Sequence, residues 1–214
     1  MRILRSYGAA CAAVVLVIAG SAEAGPKRPN TSGSKAQELD PSRRGAIAGV
    51  GIEGRDIISM SDQMARDILS VPDVAGRTTA PRVIIDDAYF RNESTQRINK
   101  AIITDRLRVG LNRASAGRLV FVGREFADMV AAERQLKREG VTDVGTTGMT
   151  RAQAGADFRL TGRISSLDQA QASTGMIQRY NQITFELVDL ETGIVTWSNV
   201  YEFERAGADD VVYR

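Results

Sequence analysis

The chain has 214 residues, with 28 Lys and Arg against 26 Asp and Glu, no His and one Cys. A formal net charge of +2 supplies no field for holding nucleic acid or an anionic membrane surface. Without His, and with Cys11 as the sole thiol, there is no imidazole base, disulfide framework or Cys/His metal set, so any catalysis or metal binding would fall to carboxylates.

The N-terminus carries Arg2 and Arg5, an apolar run from Ala9 to Ala19, and then Ser21-Ala22-Glu23-Ala24. This is the order of an export signal, and it predicts cleavage after Ala24 and release into the periplasm. The run is shorter than the ~20 apolar residues of a membrane span. Cys11 precedes most of that run, the wrong side for an acylated lipoprotein cysteine, so the mature chain is expected to be unanchored. Residues 25–46 are rich in Pro, Ser, Gly, Lys and Arg, with Leu39 the only large aliphatic before Gly45. Such a stretch buries too little to offset its ordering entropy and reads as a disordered linker. Residues 47–214 then form one domain.

In that domain Ile57–Leu69 predicts a helix with Met60, Met64 and Ile68 as its stripe, capped by Ser59 or Ser61 and stopped by Pro72. Pro81–Asp86 is a β-branched run that suits a strand buried on both faces. Asn92 to Ser94 offers caps for a helix from Thr95 to Ala114, with Ile103, Leu107, Leu111 and Ala114 inward, Ile98 and Ile102 alongside, and Gly117 at the exit. Arg118–Val122 predicts a strand. Arg124–Glu139 predicts a helix with Phe126, Met129, Val130 and Leu136 inward and Gly140 at its end. Thr142–Gly148 reads as a loop, and Thr150 as the cap of a short helix through Ala154.

Three strands follow. Asp157–Leu167 alternates, with Phe158, Leu160, Gly162 and Ile164 on one side, and Asp168–Gln178 reads as a flexible tip. From Gln182 to Arg205, Ile183, Phe185 and Leu187 alternate in one run, and Val195, Trp197, Tyr201 and Phe203 share a side of the next. Asp189–Gly193 supplies the turn. This hairpin holds the only Trp and two of the six Phe, so the core is expected against it. Helices first and an antiparallel run last give an α/β class of the α+β layer type: a small mixed, mostly antiparallel sheet flanked by helices.

Candidates for chemistry are few. Gly49-Val50-Gly51-Ile52-Glu53-Gly54 fits G-x-G-x-x-G, but the residues before it make a poor strand and Asp73 is not at a strand end. It reads as a flexible lead-in, and no cofactor is expected. Asp86-Asp87 and Asp209-Asp210 are paired carboxylates, but neighbours on extended chain point apart, and capping of strand ends and turns is the simpler role. Nothing in the spacing gathers a metal site. The sequons at Asn30 and Asn92 read as chance. Arg97, Lys100, Arg106, Arg108 and Arg113 lie without interleaved aromatics, the pattern of a solvated helix face or of a surface for an acidic partner.

Taken together, Pro81–Asp87, Asn92–Ser94, Thr104–Arg108, Arg118–Val122, Ala154–Ile164, Tyr180–Gly193, Val195–Phe203 and Val211–Arg214 resemble the LpoB family of penicillin-binding protein activators. The resemblance runs from about Ile52 to Arg214. It implies a fold like the N-terminal domain of TolB and a role without chemistry of its own. It also implies a bifunctional penicillin-binding protein, a peptidoglycan synthase, as the periplasmic partner whose polymerisation and cross-linking are stimulated. Typical members have a lipobox Cys and a long tether, neither of which this sequence has in the expected place. Gln171, Met176 and Gln178 at the predicted tip, with Arg106 and Arg113 on the basic helix, are the candidate partner-binding residues. Two other functions remain open: a component of an envelope assembly or secretion machine, and a carboxylate-dependent cell-wall hydrolase using Asp86.

Overall fold

The computed structural model describes residues 37–45, 47–143, 145, 152–208 and 211. The export signal with Cys11, most of the linker, the Asn30 sequon, Thr150 and Asp209-Asp210 lie outside the described residues. A compact unit spans Leu39–Arg214.

The elements in order are α1 (Gly54–Ser70), α2 (Pro72–Ala75), β1 (Arg82–Glu93), α3 (Lys100–Ser115), β2 (Val120–Phe121), a 3-10 turn at Arg124–Phe126, α4 (Ala127–Arg138), β3 (Phe158–Gln171), β4 (Met176–Asp189) and β5 (Val195–Ala208). The sheet order is β2-β1-β3-β4-β5. β1 runs parallel to β2 and β3, while β3, β4 and β5 form an antiparallel meander. The long pairings are the antiparallel ones, so the expected mixed, mostly antiparallel sheet with helices is the architecture found.

One sheet face carries the core. Phe158, Leu160 and Ile164 of β3, Ile183, Phe185 and Leu187 of β4, and Trp197 of β5 are buried there, as their alternation predicts. Met60, Met64 and Ile68 of α1 and Ile103, Leu107 and Leu111 of α3 pack into the same cluster. Each fully buried side chain of this size contributes about 1.5–3 kcal/mol by leaving water. Asp67 of α1 ties the layer to β5, accepting from Trp197 Nε1 at 2.8 Å and Asn199 Nδ2 at 2.7 Å.

Several boundaries differ from expectation. Helix α1 starts at Gly54, where the Glu53 amide donates to the Asp56 carboxylate at 2.8 Å, and Ser61 is a buried mid-helix residue, not a cap. Asn92 does not cap a helix. It ends a longer β1, accepting from the Ser94 amide at 3.1 Å and donating to the Gln96 carbonyl at 2.8 Å. Asn99 caps α3 instead, through the Ala101 amide. On α3, Ile102 and Ala114 face outward, and Ser115 takes the inward place. β2 is two residues long. Residues 152–154 are not helical, and the residues expected to form a flexible tip are paired as strand up to Gln171 and from Met176.

The largest difference is α4. Phe126, Met129, Val130 and Leu136 are 47%, 65%, 38% and 41% exposed, so its apolar stripe faces away from the core. An amphipathic pattern states that a face is apolar; it does not state that a core exists to receive it, and here α1 and α3 already fill the layer over the sheet. Gly140 closes α4 at φ +70, as its position predicts.

Candidate functional site

The β3–β4 hairpin reaches past the core. Its strands pair without interruption from Phe158–Asp189 to Gln171–Met176. The turn between them is closed by the Thr174 and Gly175 amides on the Gln171 carbonyl, at 3.2 and 2.9 Å, with Gly175 at φ +68. Three of the candidate partner-binding residues meet here. Gln171 lies opposite Met176, and Gln178 opposite Gln169, on the sheet face turned away from the core. Met176 is 44% exposed, and a shallow hollow lies between it, Gln169, Gln178 and Ala206. Gln178 is held by Glu204 of β5 at 2.7 Å.

Arg106 and Arg113 are not part of this cluster. They lie on α3, which packs on α1 and β1, and Arg106 reaches Asp62 at 3.7 Å. Arg108 is committed to Asp105 and Glu125. Lys100 donates to the Asp87 and Phe90 carbonyls at 3.1 and 2.7 Å, so it braces β1 and is not part of a solvated basic stripe.

What stiffens the hairpin is a charged belt on the core-side face, in which Arg179 and Asp56 are buried, Arg205 is half-buried and Asp168 is exposed. Arg179 forks onto Asp168 at 2.7 and 2.8 Å. That bond holds the Asp168 carboxyl below its ordinary range, against a smaller opposing effect of burial. One strand over, Arg205 donates to Asp56 at 2.6 Å and to the Gly51 carbonyl at 2.7 Å, and lies 4.4 Å from the Phe203 ring centre. The Gly49–Glu53 segment is thereby drawn over the strands. Asn181 donates to the Val50 carbonyl at 3.0 Å, and Gln96 brackets Ile52 with bonds of 2.8 and 3.0 Å. Val50 and Ile52 are 2% and 5% exposed. The glycine-rich stretch is therefore a packed strap and not a flexible lead-in. Its Gly49 and Ile52 amides are taken by Glu53 and Gln96.

The belt was within reach of sequence reasoning. Arg179, Asn181 and Arg205 occupy the apolar-face parity of β4 and β5, where a charged or amide side chain requires a partner. Asp86 does not cap a strand end. It sits inside β1, 8% exposed, paired with Arg159 at 2.8 Å, while Asp87 is exposed. Among the described residues no group of three or more carboxylates could hold a metal ion, and no helix is long and apolar enough to cross a membrane.

The sequence profile of the family described as peptidoglycan-synthase activator LpoB matches residues 56–203, well over half of the chain. Among solved structures, the LpoB C-terminal domain from Escherichia coli is similar at 17% identity, with 70% of this chain and 99% of that one covered and a TM-score of 0.41. The domain from Salmonella enterica gives 17% identity, 68% and 96% coverage and a TM-score of 0.39. Lipoprotein GNA1162 from Neisseria meningitidis gives 16%, 59% and 83%, and 0.32. No curated protein matches the chain. On the profile match, the chain belongs to the LpoB family of peptidoglycan-synthase activators.

Proposed function

We propose that this protein is a non-catalytic regulator that binds a bifunctional penicillin-binding protein in the periplasm and raises its rate of glycan polymerisation and cross-linking. The observation that carries this reading is the family match over residues 56–203. The export pattern of residues 1–24 supports the compartment.

The hairpin tip is the contact surface we favour. Gln171, Met176 and Gln178 stand together at the end of a three-stranded arm, where β4 is paired by β3 on one side and β5 on the other, so little order has to be acquired on binding. Met176 supplies an adaptable apolar contact, and the two Gln supply donors and acceptors around it. Arg106 and Arg113 form the second candidate surface, on α3.

The test is capture of a purified bifunctional penicillin-binding protein on the immobilised chain. Met176→Glu should weaken capture at least tenfold with unchanged circular dichroism, and Arg106→Glu/Arg113→Glu should leave most of it. Equal capture by wild type and Met176→Glu removes the tip from the interface. Absence of capture by the folded wild-type chain removes the partner.

A further inference from the structure

The face of the sheet turned away from the core carries a second constructed feature at β1. Between Ile85 and Phe90 the pairing with β3 shifts, so that Asp86, Asp87, Ala88 and Tyr89 stand opposite the single residue Thr161. Bulges of this kind bend a strand and re-aim a side chain. This one is braced throughout. Lys100 donates to the Asp87 and Phe90 carbonyls, and the Thr161 hydroxyl donates to the Tyr89 carbonyl at 2.7 Å. The Tyr89 ring, 61% exposed, rests on the Arg159 guanidinium at 4.5 Å, and Arg159 is itself fixed by Asp86. Folding alone does not require an exposed tyrosine to be held from its backbone, its ring and the base of that ring.

Tyr89 and Thr161 line two adjoining hollows, so the two form one trough. One end is polar, with Arg91, Arg163, Thr184 and Glu186; the other is apolar, with Val188 and Leu190. The Arg91 and Glu186 side chains have no ion pair or hydrogen bond among the described residues, and Arg163 reaches Glu93 only at 3.8 Å. A preorganised aromatic ring suits the apolar face of a sugar. Guanidinium groups beside it suit carboxylates, and Glu186 suits an amine.

We propose that this trough binds peptidoglycan itself: an amino-sugar strand whose peptide stems carry both carboxylates and amines. The identification of the polymer rests on the reading that the protein works beside a peptidoglycan synthase. The trough and the hairpin tip share one sheet face, and Arg163 and Gln169 are six residues apart on β3, about 20 Å at the rise of an extended strand. A regulator built this way holds nascent or existing glycan within a short reach of the enzyme it docks on.

The experiment is co-sedimentation of the purified chain with isolated sacculi, with no synthase present, followed by titration with muramidase-released muropeptides and, separately, with chitin oligosaccharides. Wild type should pellet and bind muropeptides. Tyr89→Ala and Arg91→Glu should each lower affinity about tenfold or more at unchanged thermal stability, Met176→Glu should not change it, and chitin oligosaccharides should not bind measurably. Wild type remaining in the supernatant, equal pelleting by Tyr89→Ala and Arg91→Glu, or chitin oligosaccharides binding as well as muropeptides would each overturn the proposal. Because the synthase is absent, any of these results leaves the capture experiment on the hairpin tip to stand or fall by itself.

Discussion

Gly162 should be the least replaceable small residue in the sheet. It sits in β3 on the core side, where a Cβ would come 2.4 Å from Cε2 and 3.0 Å from Cδ2 of Phe90, and 2.6 Å from the Thr184 carbonyl oxygen. Phe90 is 1% exposed and packs tilted against Phe185, with ring centres 5.5 Å apart, so its ring has no free volume to enter. The Thr184 oxygen belongs to the β4 backbone directly across from the glycine's neighbour and moves only if the strand moves. The position has no positive φ, so the effect is steric and not conformational. Gly162→Ala should therefore cost at least the usual ~1–3 kcal/mol of overpacking. For a domain of this size about 3 kcal/mol is roughly 6–12 °C of Tm. The control is Gly110→Ala in α3, where nothing lies within 4 Å of the added methyl and the helix should gain about 1 kcal/mol. Thermal unfolding followed by circular dichroism compares the two. A Gly162→Ala Tm within a degree of wild type would refute the packing argument.

Three further outcomes follow from the same geometry. Arg205→Leu removes the 2.6 Å donor from Asp56, 6% exposed in its side chain, which keeps the Glu53 amide and Arg55 at 3.8 Å, and removes a 2.7 Å donor from the Gly51 carbonyl, so urea unfolding should show a loss of about 1–3 kcal/mol with faster amide exchange in the 49–52 strap. Asp168 titrates below its ordinary range when folded, so its bond to Arg179 contributes in full above that range and is lost as pH falls through the lowered value. The stability gap between wild type and Asp168→Asn should accordingly be widest near neutral pH and close on acidification below about pH 4; a gap that widens in acid would reverse the sign. Met129→Glu on α4 should change stability by no more than about 0.5 kcal/mol, because the side chain already faces solvent, and a loss of 2 kcal/mol by denaturant titration would mean that face is covered.

The terminal hairpin and α1 were legible because burial there follows a single period. Ile183, Phe185 and Leu187 alternate, Met60, Met64 and Ile68 recur every four residues, and both sets end in the core. The boundary at Asn92 was not legible, since an Asx residue closes a turn after a strand by the same hydrogen bonds that start a helix. The hairpin tip was misread for a related reason. Gln, Ala and Ser between 168 and 178 look like loop residues, yet a long strand pair needs only backbone partners, and its register is fixed by the apolar segment below. α4 shows the limit of periodicity. The strap over β4 and β5 was hidden by its glycines, while Arg205 and Asn181, which hold it from core parity, were the available signal. Of the candidate site, proximity of Gln171, Met176 and Gln178 was foreseeable from the hairpin; the trough at Tyr89 was not, because it arises from a register shift that no local pattern encodes.

Activation of a peptidoglycan synthase is read out in glycan chain synthesis from the lipid-linked precursor. A purified bifunctional penicillin-binding protein from the same cell would be assayed with and without a molar excess of the folded chain. A severalfold faster initial rate is expected with the wild-type chain, and Met176→Glu should largely abolish the gain. An unchanged rate at saturating wild-type chain would contradict activation.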